Sequence, residues 1–272
     1  MYGNTSDRKR LTVPDLVAMK RDGERIAMMT AYDASFADAL DAAGMDAILV
    51  GDSLGMVVQG HSTTLPVTMD DIVYHCSHVA RGEVNPVLIG DLPFLAFRDE
   101  ASALVNAGRL LAEGGMAMVK LEGGGPVVAM TARLVAAGIP VCGHLGLTPQ
   151  SVHGLGGFRV QGREKAAAEA LLADARALEA AGASLLVLEA IPDALAERVS
   201  GALAIPTIGI GAGAACDGQV LVLQDALGLG DGPRPRFVRD FLADGGSIRG
   251  ALEAYVAAVK DGSYPAASES YG

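Results

Sequence analysis

Three carboxylates stand where short apolar runs stop: Asp52 in "ILVGDSLGMVVQG", Asp91 in "VLIGDLPF" and Glu122 in "MVKLEGG". Each run has the length and greasiness of a strand buried on both faces. Clustered carboxylates without compensation repel one another and take up protons, and a hard divalent cation removes that conflict. Mg²⁺ favours one or two carboxylates plus water and substrate oxygens, and no Cys or His occurs at zinc-ligand spacing. An oxygen-ligated metal is therefore the expectation. A lone aspartate in such a place more often caps a loop; three on successive strands favour a site.

Lys120 lies two residues before Glu122, on the same face of an extended strand. It is placed to hold a substrate carboxylate or neutralise an oxyanion, with a Schiff base or a plain salt bridge to Glu122 as alternatives. Glu189 ends "LLVLEA", and a carboxylate against apolar walls gains base strength, which suits proton removal beside a carbonyl. Its alternative is a partner for an arginine or a backbone donor. His144, in "VCGHLGLTPQS", also falls at a strand end, balanced between binding a substrate oxygen and a structural role. His75, Cys76 and His78 fall on a helix away from this group and read as no metal site. "GIGAG" at 209–213 either receives a phosphate or makes a plain strand-to-helix turn. "HGLGGFRVQGR", residues 153–163, is too glycine-rich for regular structure. It reads as a mobile loop over a pocket, with Arg159 and Arg163 meeting an anionic tail, or as an ordinary surface loop.

The elements that must carry these residues recur along the whole chain. "RIAMMTAYD", "AILVGD", "VLIGDLPF", "MAMVKLEGG", "PVCGHLGL", "LLVLEA", "PTIGIGAG" and "VLVLQD" are strand candidates, each followed by Ala- and Leu-rich helical sequence. Their number and even spacing predict a single (β/α)₈ TIM barrel rather than an open doubly wound sheet. Reacting groups in a barrel come from the C-terminal strand ends, which here are Tyr32–Asp33, Asp52–Ser53, Asp91, Lys120–Glu122, His144, Glu189, 209–213 and Gln224–Asp225. Thr68 with Asp71 opens a helix that closes at Gly82, and "REKAAAEALLADARALEAAGA" predicts another ending near Gly182. An extra N-terminal helix over residues 11–20, begun by Thr12 and Pro14, is expected to cover the barrel floor. Residues 1–10 read as a variable extension, 11–264 as the catalytic barrel and 265–272 as a polar tail, with the chain after Tyr255 loosely ordered. A carboxylate at the rim, such as Asp91, is expected to matter for metal affinity rather than for core stability.

The bulk composition narrows the function. Half of the 272 residues are hydrophobic, which provides a sizeable core. A formal charge of −11 argues against a nucleic-acid groove but not against small anions, whose field a metal or local cations can supply. Three scattered cysteines, Cys76, Cys142 and Cys216, make no disulfide framework and point to a reducing compartment. The start lacks the apolar core of a secretory signal, and no apolar stretch is long enough to span a bilayer. A soluble, cytoplasmic protein is the expectation.

"TAYD", "LVGDSLGMVVQGHSTTLPVT", "DLPF", "MVKLEGG", "PVCGHLGLTPQSV", "VQGR", "LLVLEA" and "IPTIGIGAG…DGQVLV" together resemble the 3-methyl-2-oxobutanoate (ketopantoate) hydroxymethyltransferase family, in order over about 11–264. The resemblance implies a Mg²⁺-dependent (β/α)₈ enzyme, commonly a homodecamer. Such an enzyme moves a one-carbon unit from 5,10-methylenetetrahydrofolate to 3-methyl-2-oxobutanoate through a Mg-stabilised enolate, giving 2-dehydropantoate for pantothenate biosynthesis. By the same resemblance Asp52 and Asp91 bind the metal, and Glu122 is a third acidic position often linked to it through water. Asp52, Ser53, Asp91 and Lys120 hold the keto acid, and Glu189 is the base. Two rivals remain. One is a Mg-dependent 2-oxo-acid lyase or mutase of the phosphoenolpyruvate mutase and isocitrate lyase type, which typically needs a Cys on a gating loop; Cys142 fits a core strand better. The other is a non-catalytic keto-acid-binding barrel, which has no use for a buried base.

Overall fold

Each apolar run forms a short parallel strand: β1 (Ile26–Thr30), β2 (Ala47–Val50), β3 (Val87–Asp91), β4 (Met118–Glu122), β5 (Val141–Gly146), β6 (Leu185–Glu189), β7 (Thr207–Ile210) and β8 (Gly218–Leu221). The structure, a computed structural model, describes residues 8–82, 84–230, 232 and 234–272. The strands pair in chain order, and β8 returns to β1 with Val220 opposite Met28, closing the barrel. Helices alternate with the strands as the βα spacing predicts, except after β7, where residues 211–217 lead to β8 with no helix between them.

Alternation decides what the barrel contains. Ile26 and Met28, Ala47 and Leu49, Val87 and Ile89, Met118, Cys142, Leu185 and Val187, Ile208 and Val220 point inward and form one apolar cluster. The opposite parity, including Ala27, Met29, Ile48, Leu88, Val119 and Leu121, packs outward against the helices in a second, larger cluster. Fully burying one Val, Leu, Ile or Met side chain contributes about 1.5–3 kcal/mol, so both faces hold the strands in register. Followed toward the C-terminal ends, the inward set turns polar: Met118 is succeeded by Lys120 and Glu122, Ile89 by Asp91, Cys142 by His144 and Val187 by Glu189.

The N-terminal helix Val13–Asp22 starts on a Thr12/Asp15 capping box with Pro14 in its first turn. Its Leu16 and Met19 join the inward cluster, so it seals the floor of the barrel as expected. Of the expected N-terminal extension, residues 1–7 lie outside the described residues; Arg8 donates to the carbonyls of Asp41 and Met45 at 3.1 Å each.

Two expectations are corrected. The last strand begins at Gly218 and stops at Leu221, so Gln224 and Asp225 sit in the short helix Leu223–Ala226 rather than at a strand tip. Leu223 N–H is drawn inward to Thr30 Oγ1 at 2.9 Å, which turns the chain at that point. The chain after Tyr255 is ordered. Helix Ile248–Asp261 runs through it, and the Phe241, Tyr255 and Tyr264 rings pack together at 5.3–5.8 Å between centroids, Phe241 edge to face with both tyrosines. The Tyr255 hydroxyl lies 2.8 Å from the Met28 carbonyl, and the Tyr264 hydroxyl donates to the Phe237 carbonyl at 2.7 Å. Buried tyrosines with satisfied hydroxyls anchor a segment whose composition looks polar. Among the described residues no helix is long and apolar enough to cross a membrane.

Candidate active site

Asp52, Ser53, Asp91, Lys120, Glu122, His144 and Glu189 all line one cavity of about 710 Å³ at the C-terminal mouth. Register brings them together: Asp91 pairs with Lys120, and Glu122 with His144. Lys120 Nζ lies 2.7 Å from Asp91 Oδ1, 3.8 Å from Glu122 Oε1 and 3.2 Å from His144 Nδ1. Asp52 N–H donates to Asp91 Oδ2 at 3.0 Å, which ties the chain just after β2 to the tip of β3. His144 Nδ1 is 3.3 Å from Glu122 Oε1, and its Nε2 is 3.2 Å from Glu189 Oε2. The ionisable groups thus form a continuous arc from the tip of β2 to the tip of β6.

Burial and mutual charge order their protonation. Burial pushes Asp52 well above the ordinary carboxylate range, and the negative charges of Glu122 and Asp91 add to it. Burial also raises Asp91, against the pull of Lys120. Glu122 is lowered: burial works to raise it, but the hydrogen bond and charge of His144 and the Lys120 ammonium prevail. Burial acts to lower Lys120, yet Asp91, Glu122 and Asp52 together raise it. Burial and Lys120 both disfavour the His144 imidazolium, but its carboxylate partners Glu122 and Glu189 lift it to about 9. A lysine held as a cation by carboxylates is a poor Schiff-base nucleophile, since that chemistry needs the neutral amine.

Several sequence expectations change at this level. Asp91 is only 2% exposed and paired with Lys120, so it is part of a buried ion network and not a solvated rim group. Glu189 does not face apolar walls alone, because His144 touches its carboxylate. Residues 153–163 are not wholly irregular: His153, Gly154 and Leu155 belong to the short helix Val152–Leu155. Phe158, Arg159 and Val160 beyond it line the cavity. "GIGAG" makes a turn and no phosphate cradle. Phe237 packs where a Cβ of Gly211 would stand, and the Asp193 carboxylate sits against Gly213. His75 Nδ1 instead binds the Tyr32 carbonyl at 2.7 Å, and Cys76 is buried in the outer core.

Gln150 is the contribution that motif reading passed over, and Tyr32, read only as a strand end, gains a partner. Gln150 Nε2 donates to Asp52 Oδ2 at 2.8 Å and to the Leu92 carbonyl at 3.0 Å, while its backbone N–H donates to Glu122 Oε2 at 3.0 Å. One buried residue therefore fixes two carboxylates from different strands. The Tyr32 hydroxyl is 2.9 Å from Ser53 Oγ and orients it. Both residues stand in quoted motifs, "TAYD" and "LTPQS", but nothing in their spacing marks a partner across the barrel.

The donor set fits a hard divalent cation. Asp52 N–H meets Asp91 Oδ2, Lys120 Nζ meets Asp91 Oδ1 at 2.7 Å, and a carboxylate oxygen so engaged keeps a second lone pair for a cation. Among the described residues no three carboxylate, histidine or cysteine groups converge as a ready-made cage. Mg²⁺ does not need one, because water and substrate oxygens complete its shell. Glu122, engaged by Gln150, His144 and Lys120, is set behind that pair.

A closed parallel barrel with a buried arc of acids, a lysine and a histidine at its C-terminal mouth defines a (β/α)₈ enzyme. Comparison with known proteins narrows the class. Residues 10–267 match the family described as ketopantoate hydroxymethyltransferase. The 3-methyl-2-oxobutanoate hydroxymethyltransferase of Halorhodospira halophila is 56% identical over 267 residues, covering 96% of this chain and 97% of its own. That of Burkholderia multivorans is 56% identical over 270 residues, covering 99% of each chain. Among solved structures, phosphonopyruvate hydrolase in complex with oxalate and Mg++ shares the fold at a TM-score of 0.62 and 14% identity, over 80% of this chain and 84% of that one. The chain belongs to the ketopantoate hydroxymethyltransferase family.

Proposed function

We propose that this chain forms 2-dehydropantoate from 3-methyl-2-oxobutanoate, with 5,10-methylenetetrahydrofolate supplying the carbon and water the hydroxyl. The observation that carries the reading is the placement of Glu189 on β6, across the mouth from Asp52 just after β2 and Asp91 on β3 and joined to them by the Lys120–Glu122–His144 chain. Asp52 and Asp91 would hold Mg²⁺, with Glu122 acting on it through water; the cation would supply Lewis-acid polarisation of the keto acid's oxygens. Phosphonopyruvate hydrolase, a barrel of the same fold whose structure contains oxalate and Mg++, supports a cation in a protein of this fold.

Lys120 balances the keto acid's carboxylate, and Ser53, held by Tyr32, donates to a substrate oxygen. Glu189 takes the proton from C3, while His144 Nε2 fixes the orientation of the Glu189 carboxylate. The C3 electron pair bonds to the folate-borne methylene carbon as one of its two C–N bonds breaks, that nitrogen keeping the bonding pair. The second C–N bond breaks as a water oxygen bonds to the same carbon, and the proton taken from C3 and one proton of the water end on the two folate nitrogens. The walls of the mouth, including Leu147, Phe158 and Val160, limit access of bulk water. Cys142 lies buried in β5 among the inward apolar residues, away from any gating loop, which favours this reading over a lyase. Tyr74 and Val105 are exposed on the neighbouring helices Met69–Ala80 and Glu100–Ala112 and offer an apolar face for the homo-oligomer, a homodecamer in the cytoplasm.

Deuterium exchange at C3 of 3-methyl-2-oxobutanoate, with Mg²⁺ and without folate, tests the assignment. Glu189→Gln should keep keto-acid binding and lose exchange by about 10²–10⁴-fold, the contribution of a positioned base. Undiminished exchange would remove Glu189 from that role. Folate-dependent turnover measured beside isocitrate cleavage separates the transferase from the lyase.

A further inference from the structure

The cavity offers room and chemistry that a small keto acid does not use. At about 710 Å³ it falls within the size range of pockets that hold drug-sized ligands, about 300–1,000 Å³. The ionisable arc occupies the β2–β6 side. On the β6–β8 side the same cavity is lined by Phe158, Arg159, Asp225, Phe237 and Tyr271.

These residues are anchored. Gln161 N–H donates to the Ala190 carbonyl at 2.9 Å, which docks the segment carrying Phe158 and Arg159 beside the tip of β6, next to Glu189. Phe237 and Tyr271 meet edge to face, with centroids 6.5 Å apart and planes at 75°. Both rings lie over Gly211 at the end of β7, whose φ is +64°; a Cβ there would stand 2.5 Å from Phe237 and 3.1 Å from Tyr271. Asp193 N–H donates to the Tyr271 carbonyl at 2.9 Å, and Arg236 donates to the Ser270 carbonyl at 3.2 Å with its guanidinium 5.6 Å from the Tyr271 ring centroid. A penultimate residue tied down on both sides and turned into a cavity is a built wall. Phe158, by contrast, is 52% exposed at the mouth.

Chemistry fixes what should lie there. The carbon donor must reach C3, the atom whose proton Glu189 removes, and the β6–β8 side is the part of the cavity that the ionisable arc leaves free. We propose that Phe158, Phe237 and Tyr271, with Asp225 and Arg159, seat the flat reduced-pterin ring and anionic tail of the one-carbon donor, which makes the C-terminal segment a part of the active site. The inference rests on the function proposed above. Aromatic faces and edges pack a planar heterocycle without demanding a single hydrogen-bond pattern. The Asp225 carboxylate, an acceptor, matches the adjacent N–H donors of an aminopyrimidinone edge. Arg159 presents a forked donor to a tail carboxylate.

The test uses the full chain with Mg²⁺ and keto acid, and measures tetrahydrofolate binding by calorimetry, donor KM, keto-acid KM and C3 exchange. Tyr271→Ala and Phe158→Ala should each weaken tetrahydrofolate binding and raise donor KM by about tenfold or more, the loss typical of a buried aromatic anchor. Tyr271→Phe, which keeps the ring, should recover most of that loss. The change in donor KM should exceed any change in keto-acid KM or exchange rate by about tenfold. Should Tyr271→Ala prove unfolded, Phe158→Ala carries the test alone, because its half-exposed side chain supports no core. Alanine variants that bind tetrahydrofolate like the parent, or that lose keto-acid affinity equally, would overturn the assignment. A parent chain without C3 exchange or folate-dependent turnover would sink the proposed function itself, and this seat with it.

Discussion

Replacing Lys120 by methionine removes the one ammonium at the centre of the carboxylate arc while nearly preserving volume. Its Nζ lies 2.7 Å from Asp91 Oδ1 and 3.8 Å from Glu122 Oε1, and Lys120 is 3% exposed, so water cannot take over its role. Breaking a buried pair by deleting one partner typically costs about 3–5 kcal/mol, because the other charge is left uncompensated. At about 2–4 °C per kcal/mol for a domain near this size, the metal-free variant should melt about 6–20 °C below the parent. The sign with pH follows from the raised carboxylates. Asp52 and Asp91 sit above the ordinary range, burial being the first cause in each. Such groups contribute stability below their unfolded value and lose it as pH rises through the folded one. Without Lys120 both rise further, so the variant's deficit should be smallest in acid and widen toward neutral pH.

The same variant tests the proposed cation. A ligand that binds only the folded state at about 100 times its Kd stabilises by about 2.7 kcal/mol. With the ammonium gone, Mg²⁺ faces less repulsion in the arc, so its stabilising shift should be larger in Lys120→Met than in the parent. Thermal melts with chelator and with Mg²⁺, across pH, make the comparison. A deficit below about 1 kcal/mol would show that Lys120 does not hold the arc together. Equal Mg²⁺ shifts in parent and variant would place the cation elsewhere.

Two further outcomes follow from the same geometry. His144 stands at about 9, raised from 6.5, so its contribution is fully present below about 6.5 and is lost as pH rises through about 9. Denaturant unfolding of chelator-treated protein should show that loss, and His144→Gln should be less stable and lack the step; a step that persists would assign it to another group. Gln150→Leu deletes the donor to Asp52 Oδ2 and the Leu92 carbonyl but keeps the backbone N–H to Glu122. A hydrogen bond to a charged group is worth about 1.5–3 kcal/mol, so calorimetry should find Mg²⁺ affinity lowered by about tenfold or more. Unchanged affinity would mean that Asp52 does not depend on the clamp.

How much of this was legible in the sequence depends on whether the information is local. Seven strands, the end of the eighth, the floor helix and the closed barrel follow from apolar runs and their spacing, since each run must be buried on both faces and a barrel does that without edges. The positions of Asp91, Lys120, Glu122, His144 and Glu189 were legible for the same reason: each ends an apolar strand, and inward parity from Met118, Ile89, Cys142 and Val187 carries them into the mouth. Which of them pair was not legible. Asp91 faces Lys120 and Glu122 faces His144 because of a stagger between strands that only closure of the ring determines. That stagger put Lys120 among the carboxylates as a held cation and set His144 against Glu189, neither of which any one strand's sequence states.

The misread tail has the same cause in stronger form. Residues beyond Tyr255 look polar because their large apolar side chains are few, namely Val256, Val259, Tyr264 and Tyr271, and the Tyr264 hydroxyl finds its partner in a carbonyl far off in the chain. Tyr264 binds the carbonyl of Phe237, and the adjoining turn leads to Tyr271, which meets the Phe237 ring over Gly211. A glycine that resembles a phosphate turn when read alone is, in the fold, the gap that admits two rings into the mouth. Strand tips announce themselves because burial ends there. The wall opposite them is assembled from segments that share no period, so only the folded chain can display it.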